Sequence, residues 1–261
     1  MLLANKNAVI YGAGGAIGGA VARAFAREGA RVFLVGRTMA KLERVAEDIA
    51  AVGGLAETAQ VDAIDRQAIE KHISEVVKKA GSIDISFNAI DLGDAQGAPL
   101  VEMSAERFAL PITTAMRTQF LTATAAAREM AKKGSGVILA ITAQVARKPY
   151  ANSGGFGVAC AAIEGLCRQL AAELGPQGIR VVCLRSAGSP DAPGVDAALR
   201  LHAESAGVSR EAWEATIAEK TLLKRMPKLA EVANAAVLMA SDRASAITGA
   251  VANVTCGELV D

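Results

Sequence analysis

The 261-residue sequence has few aromatic residues and almost no excess of charge of either sign. Aromatic side chains make up 3% of the chain, although 52% of it is hydrophobic. A core built mainly from aliphatic side chains is typical of helices packed against a parallel sheet. With 28 basic and 27 acidic residues, the chain has no basic cluster that would attract nucleic acid. We therefore expect one large α/β domain without a nucleic-acid partner.

Long apolar runs and paired metal-ligand spacings are missing as well. No run reaches the roughly 20 apolar residues that a membrane-spanning helix needs, and the first residues lack the pattern of a secretory signal. The cysteines are best interpreted as small buried thiols in a reducing compartment. There are four of them: Cys160, Cys167, Cys183 and Cys256. The sequence thus favours a cytoplasmic protein with no membrane partner and no metal site.

Short apolar runs alternate with helical stretches along the whole chain. The strand-like runs are 8–11, 31–35, 55–61, 83–87, 136–141, 180–184 and 250–254. This βαβ order predicts a parallel sheet within a single domain spanning 1–261. Residues 189–226 break the rhythm with prolines and then a polar stretch that holds the only tryptophan. We interpret this segment as a substrate lid near the carboxyl ends of the strands, with an ordinary helical excursion as the alternative.

A glycine-rich turn joins the first strand-like run to an alanine-rich helix. Its sequence over 12–19 is GAGGAIGG. Glycine permits positive φ and lets backbone N–H groups approach a pyrophosphate, whose charge the helix N-terminus stabilises. We predict that the turn binds a dinucleotide, although Ile17 breaks the strict G-x-G-x-x-G spacing and a purely structural turn is the alternative. The candidate contacts are Gly12, Gly14, Gly15, Ile17 and Gly18.

The second strand-like run ends in Gly36, Arg37 and Thr38. In dinucleotide-binding folds, an acidic residue at this position would bind a ribose 2′-hydroxyl and repel a 2′-phosphate. An arginine offers that phosphate a charge-assisted fork instead. Arg37 and Thr38 therefore favour NADP(H) over NAD(H). The alternative is an exposed arginine with no binding partner, which a single position in the sequence does not exclude.

The glycine-rich turn resembles the T-G-x-x-x-G-x-G pattern of the short-chain dehydrogenase/reductase family, from which it departs at Tyr11 and Ala16. Val61-Asp62 is similar to the family's adenine-contacting pair, and 83–89 resembles the strand that leads to its N-N-A-G motif. Later landmarks are similar too: AAEL at 171–174, GIRV at 178–181, and the closing S-D, T-G and G-G positions. The resemblance covers essentially the whole chain.

The resemblance implies a Rossmann-type doubly wound fold, with a seven-stranded parallel sheet and helices on both faces. It also implies a bound nicotinamide dinucleotide, with Asp62, Asn88 and Ala89 among its contacts, and a homodimer or homotetramer. Members of the family reduce carbonyls or oxidise alcohols with an Asn, Ser, Tyr and Lys tetrad.

That tetrad is missing from this sequence. Counting from the landmarks places Ala115 at the asparagine position, Phe156 at the tyrosine position and Cys160 at the lysine position. The serine position falls at Thr142 or Ala143, of which only Thr142 has a hydroxyl. Phenylalanine cannot ionise, and an ordinary thiol, whose pKa is about 8.5, supplies no positive charge.

Few residues near the tetrad positions could take over its proton transfer. Tyr150 lies on the loop before Phe156 with Lys148 nearby, so it is a candidate acid, although a loop pair facing solvent or a subunit contact is the alternative. Cys160 has no histidine near it in sequence to act as a base, which favours a core residue. Arg185 ends the sixth strand-like run and is either a ligand-binding charge or a surface salt bridge.

Two classes of function follow. The first is an NADP(H)-dependent oxidoreductase that acts on a small carbonyl or hydroxyl compound and takes its proton from water, the substrate or Tyr150. The second is a catalytically silent member of the same family that binds dinucleotide or ligand and acts through partners. A positioned hydride donor retains some rate through proximity alone, so we expect the first, with weak ordinary ketone reduction.

Overall fold

The computed structural model describes residues 1–260 and contains one seven-stranded parallel sheet. Its strands are β1 (Asn7–Tyr11), β2 (Arg31–Gly36), β3 (Leu55–Gln60), β4 (Ile85–Asn88), β5 (Gly136–Ala143), β6 (Ile179–Ser186) and β7 (Val251–Val254). Their order across the sheet is β3-β2-β1-β4-β5-β6-β7. The order reverses between β1 and β4, so a crevice opens at their carboxyl ends, where open α/β sheets bind ligands. The predicted fold class is confirmed.

The described residues form eight α-helices, six of which cover the sheet. They are α1 (Ala16–Arg27), α2 (Met39–Ala50), α3 (Arg66–Ala80), α4 (Ala105–Lys133), α5 (Phe156–Leu174), α6 (Pro193–Ala206), α7 (Arg210–Lys220) and α8 (Leu229–Ala240). Helices α3, α4 and α5 bury their apolar residues against one face, and α1, α2 and α8 against the other. Because helices cover both faces of the sheet, its central strands have no solvent side, and this explains their continuous apolar sequences. None of the described helices is long and apolar enough to cross a membrane.

The strand ends differ from the sequence-based prediction by up to two residues. β4 begins at Ile85 rather than at residue 83, while β5 and β6 run on to Ala143 and Ser186. These extensions carry small or polar residues, which the apolar pattern cannot distinguish from loop. The difference matters because the extra residues lie at the carboxyl edge of the sheet.

Residues 189–226 fold into α6 and α7 with short connections. Helix α6 buries only Leu199 and Ala203, and α7 buries none of its 11 residues, all of which the structure describes. His202 stacks on Trp213 with ring centroids 6.3 Å apart, and its Nε2 lies 3.0 Å from Oε1 of Gln96 in the β4–α4 loop. The segment thus contacts a loop at the carboxyl edge of the sheet, and its role as a lid stays a prediction.

Candidate active site

The β1–α1 turn is packed so closely that two of its glycines leave no room for a side chain. Gly12 has a φ of +75°, and a Cβ there would lie 2.4 Å from the carbonyl oxygen of Ala89. A Cβ on Gly18 would lie 2.3 Å from the carbonyl oxygen of Gly12. The turn therefore presses the start of α1 against the end of β4, beside the point where the strand order reverses.

The N-terminus of α1 is open to an anion. Gly15 is its N-cap and supplies no side-chain hydrogen bond, and the first turn of the helix, which is fully described, holds no acidic residue. The leading N–H groups of a helix have no partner inside it and attract negative charge. Ile17 and Gly18 lie in this first turn. The residues therefore fit a dinucleotide pyrophosphate, as P-loop and Rossmann turns do.

The end of β2 presents positive and hydroxyl groups. Arg37 is exposed, and Gln60 Nε2 donates to its carbonyl oxygen at 2.9 Å. Thr38 is the N-cap of α2, yet its side chain makes no capping hydrogen bond, and the first turn of α2 contains no acidic residue. A Cβ on Gly14 would lie 2.8 Å from Cβ of Lys41 in this turn, which sets α2 beside the glycine-rich turn. Arg37 and Thr38 thus lie at the start of α2, beside the glycine-rich turn.

The ends of β3 and β4 complete the nucleotide side of the crevice. Asp62 is exposed just after β3 and accepts from the backbone N–H of Ile64 at 3.2 Å. Asn88 is buried, and its Nδ2 donates to Thr122 Oγ1 at 3.0 Å, which ties β4 to α4. The Ala89 N–H donates to the Tyr11 carbonyl oxygen at 3.0 Å. Thr122 was missed by sequence reasoning, because nothing in the pattern of α4 marks it.

Tyr11 occupies the place of the family's threonine before the first glycine. Its side chain is fully buried, and its hydroxyl has no hydrogen-bond partner among residues 1–260. Burial raises the pKa of this phenol, so it stays protonated. Its ring packs in the cluster that includes Val35 and Ala115. The substitution therefore adds bulk to the core beneath the crevice.

The three residues that sequence analysis places at the Asn, Tyr and Lys positions of the tetrad are apolar or neutral. Ala115 is fully buried, Cys160 is 1% exposed, and Phe156 packs against the core at the start of α5. Burial raises the pKa of the Cys160 thiol to about 12, and the neighbouring carboxylate of Asp94 contributes to that shift. Ala115 and Phe156 have no ionisable group, Cys160 is a buried neutral thiol, and none of the three can hold a positive charge.

Thr142 is turned into the protein interior. Its Oγ1 lies 3.2 Å from Oε1 of Glu164 on α5 and 3.3 Å from the carbonyl oxygen of Leu184. Successive residues of a strand face opposite sides of the sheet, so Ala143 faces away from this cluster. The β5 hydroxyl thus contacts α5 and β6.

Tyr150 and Lys148 converge on one buried carboxylate. The Tyr150 hydroxyl donates to Oε1 of Glu258, and Lys148 Nζ lies 3.1 Å from the same oxygen. Burial, followed by the contact with Glu258, raises the pKa of Tyr150. Glu258 is 108 residues away, next to the closing glycine landmark, and no local pattern predicts this contact. The loop tyrosine is therefore tied to the C-terminal segment.

Two expectations about interior residues need correction. Arg185 forms a two-point ion pair with Glu164, with Nε–Oε1 and Nη2–Oε2 distances of 2.8 Å, and both residues are buried. The surface salt bridge is wrong, because β6 extends past residue 184 and α5 covers that extension. A ligand-binding role for Arg185 stays a prediction. Cys160, Cys167 and Cys183 are buried as expected, but Cys256 is partly exposed.

Comparisons with known proteins agree with this geometry. A family model described as enoyl-(acyl carrier protein) reductase matches residues 12–258. The uncharacterised oxidoreductase YxbG of Bacillus subtilis (strain 168) is 30% identical over 250 residues, which are 95% of this chain and 88% of that protein. L-xylulose reductase of Bos taurus is 28% identical over 263 residues, which are 98% of each chain.

Solved structures give the same result. A 7α-hydroxysteroid dehydrogenase complexed with NADH and 7-oxo glycochenodeoxycholic acid has a TM-score of 0.85 and 27% identity, with 99% of this chain and 96% of that chain covered. The fold, the glycine-rich turn and the near-complete match of the family model lead to one assignment. The chain belongs to the short-chain dehydrogenase/reductase family.

Proposed function

We propose that the protein is an NADP(H)-dependent oxidoreductase that acts on a small carbonyl or hydroxyl compound without the family's tetrad. The observation that carries the proposal is the position of exposed Arg37 and of Thr38, whose side chain makes no capping hydrogen bond. Both follow β2 and lie beside the glycine-rich turn, whose backbone suits a pyrophosphate. L-xylulose reductase and 7α-hydroxysteroid dehydrogenase, both similar to this chain, are named for reactions of hydroxylated compounds.

In this proposal the chain's residues bind and orient the cofactor. The first turn of α1 receives the pyrophosphate, Arg37 and Thr38 receive the 2′-phosphate, and Asp62, Asn88 and Ala89 line the crevice beyond them. When bound, the nicotinamide supplies the hydride chemistry. Orientation of two reactants accounts for a large share of rate enhancement, so a positioned cofactor sustains turnover even with a poor acid.

The proton source distinguishes this proposal from the family's usual mechanism. Phe156 has no ionisable proton, the Cys160 thiol is buried in the core, and Tyr150 is a weaker acid than usual because burial raises its pKa. Water, the substrate or Tyr150 is the source, and loss of an optimised general acid costs about 10²- to 10⁴-fold in rate. We therefore expect slow ketone reduction.

Cofactor choice is tested by titrating wild type and Arg37→Ala with NADPH and NADH, following protein fluorescence. We expect the variant to lose about tenfold or more in NADPH affinity, because a charge-assisted pair disappears, and to keep its NADH affinity. Arg44→Ala, an exposed arginine of α2, is the matched control. Equal affinity of wild type for both nucleotides would overturn the Arg37 assignment.

The second candidate function is a catalytically silent binding protein. It is favoured because Ala115 and Cys160 are buried and offer no catalytic group. NADPH absorbance with a panel of carbonyl compounds separates the two. Turnover by wild type supports the oxidoreductase. Turnover only by a Phe156→Tyr/Cys160→Lys double variant supports the silent protein, and activity that survives Tyr150→Phe excludes Tyr150 as the acid.

We also propose a homodimer or homotetramer that assembles through α4 and α5 in the cytoplasm. Phe120 is 52% exposed and borders a groove of about 540 Å³, which Met116, Leu121 and Leu166 also line. Exposed apolar patches of this kind mark interaction sites. Light scattering tests it: Phe120→Glu is expected to give monomer, whereas Val52→Glu, at a 70% exposed residue far from the groove, is not.

A further inference from the structure

A cavity of about 480 Å³ is bordered by α5 and by β7, the last strand of the sheet. Four of the side chains that line it are charged: Arg147, Glu164, Arg168 and Arg185. Three guanidinium groups therefore share this cavity with one carboxylate. A concave site whose walls carry mostly one sign of charge concentrates ions of the opposite sign. We call this site the arginine cavity.

The inner wall of the arginine cavity is a buried ion pair. Arg185 Nε and Nη2 donate to the two carboxylate oxygens of Glu164, each at 2.8 Å, and both side chains are buried. Thr142 Oγ1 donates to Glu164 Oε1 at 3.2 Å, which fixes the carboxylate further. A guanidinium carries five N–H groups in a planar fork, so one arginine can hold an internal carboxylate and an external oxyanion together. The inner wall is thus rigid and offers cationic donors.

Two exposed arginines form the rim of the arginine cavity. Arg168 lies one helical turn after Glu164 on α5, and its side chain forms no ion pair with residues 1–260. Arg147 is in the loop that follows β5. Because Glu164 offsets the charge of Arg185, the rim gives the lining residues an excess of two positive charges.

The arginine cavity is separate from the predicted phosphate contacts of the cofactor and from the α4–α5 groove. Neighbouring strands are about 4.8 Å apart, so roughly 19 Å separate β6 from β2, the strand that Arg37 follows. Glu164 and Arg168 share one face of α5, four residues apart. Leu166 lies two residues from each of them, on the opposite face of the helix, where it lines the α4–α5 groove. A ligand in the arginine cavity would therefore occupy neither place.

We propose that the arginine cavity is a binding site for a small dianion that carries a phosphate or two carboxylates. Two excess positive charges match two negative charges, whereas a monoanion leaves one of them unbalanced. Guanidinium forks suit these oxyanions, because paired N–H groups meet paired oxygens. The volume is in the range of small-molecule sites. The inference goes beyond the proposed function, because it requires neither a bound nucleotide nor turnover.

The charge match is tested by calorimetric titration of the full chain with succinate, with glycerol 3-phosphate and with acetate. Succinate has two carboxylates, a phosphate monoester carries close to two negative charges at neutral pH, and acetate has one. We expect one or both dianions to bind at least about tenfold more tightly than acetate, because they make additional charge-assisted hydrogen bonds.

Substitutions at the rim test the residues. Arg168→Gln and Arg147→Gln are each expected to lower dianion affinity about tenfold, because each removes a charge-assisted contact at an exposed position that the fold does not need. Arg27→Gln is the matched control, since Arg27 is an exposed arginine in the last turn of α1, on the other face of the sheet. Wild-type melting temperatures in the variants without ligand would show that the fold is intact.

Chemical modification locates the site without any substitution. Phenylglyoxal reacts with exposed guanidinium groups, and peptide mass spectrometry reports each arginine separately. We expect a bound dianion to slow the modification of Arg147 and Arg168 but not of Arg27 or Arg37, all of which are exposed. NADP⁺ is expected to protect Arg37 alone, so its failure to do so would count against the proposed function and not against the arginine cavity.

The outcomes are distinct. Preferential binding of a dianion that falls in Arg168→Gln, is kept in Arg27→Gln and protects Arg168 supports the inference. Absence of binding by both dianions, acetate binding of equal strength, wild-type affinity in Arg168→Gln, or protection of Arg37 instead of Arg168 overturns it.

Discussion

The β1–α1 turn and the β5–α5 loop lie at the same edge of the sheet but differ in what fills them. In the turn, glycines bring backbone to backbone, and an open helix N-terminus faces the crevice. Around the loop, the residues predicted at the tetrad positions are Ala115 in α4 and Phe156 and Cys160 in α5, and charged side chains form the ion pairs Glu164–Arg185 and Lys148–Glu258. Binding a pyrophosphate through backbone N–H groups tolerates changes of side chain, whereas proton transfer depends on a few particular side chains.

The largest effect is expected at the Glu164–Arg185 pair, one helical turn from Cys160. Glu164→Gln removes the carboxylate from this buried ion pair, and breaking a buried pair by removing one partner typically costs about 3 to 5 kcal/mol of unfolding free energy. Urea denaturation measures it. The Glu164→Leu/Arg185→Met double variant is expected to recover most of the loss, because an apolar pair of similar size removes both desolvation costs. A double variant less stable than the single one would contradict this account.

The second effect concerns the glycine-rich turn. Gly12→Ala combines a positive φ with a Cβ placed 2.4 Å from a carbonyl oxygen, so we expect a loss of about 3 kcal/mol and of NADPH binding. Gly53→Ala is a matched control, because Gly53 has a φ of +77° and no atom within 4 Å of the added Cβ. Its loss should be about 1 kcal/mol, the cost of the backbone conformation alone. Equal losses of unfolding free energy in the two variants would show that the contact between a Cβ at position 12 and the Ala89 carbonyl oxygen is unimportant.

The same contrast explains what the sequence could and could not predict. The strands along the chain, the parallel sheet and the glycine-rich turn leave local signals, because apolar periodicity and glycine reflect backbone requirements that act within a few residues. The seven-stranded, doubly wound arrangement was implied by the family resemblance. The absence of Tyr and Lys at 156 and 160 was also visible locally. Glu258 with Tyr150, Thr122 with Asn88, and Glu164 with Arg185 were not, because each joins side chains that only the folded sheet brings together.

Helix capping allows a further comparison, between the sheet domain and the 189–226 segment. Asp65 caps α3 by accepting from the Gln67 and Ala68 N–H groups, and Ser209 caps α7 by accepting from the Ala212 N–H. Asp65→Ala should lower global stability by about 1 kcal/mol. Ser209→Ala should leave global stability unchanged but speed amide exchange in α7, which has no buried residue and opens locally. Hydrogen exchange and urea denaturation of both variants measure this; a global loss in Ser209→Ala would show that α7 unfolds with the core.

The smallest effect is expected where the two regions are joined. Arg225, at the end of the 189–226 segment, makes two hydrogen bonds of 2.7 Å to Glu231 in the first turn of α8, the helix that packs in one cluster with α1. Hydrogen bonding from Arg225, and then from the Lys228 backbone, lowers the pKa of Glu231 to about 2 from its usual 4.5. Both side chains are more than a third exposed, so solvent screening limits the contribution to less than about 1 kcal/mol.

The sign follows from the lowered pKa. A depressed carboxyl pKa contributes stability that is complete above the unfolded pKa and disappears as pH falls through the folded one. The stability difference between wild type and Glu231→Gln should therefore be constant from pH 7 to about pH 5, then shrink as the pH approaches 2. Urea denaturation at several pH values measures it, with Glu219→Gln as the control because its Lys224 partner is 3.7 Å away and exposed. A difference that grows on acidification would show that Arg225 does not hold Glu231 in its ionised form.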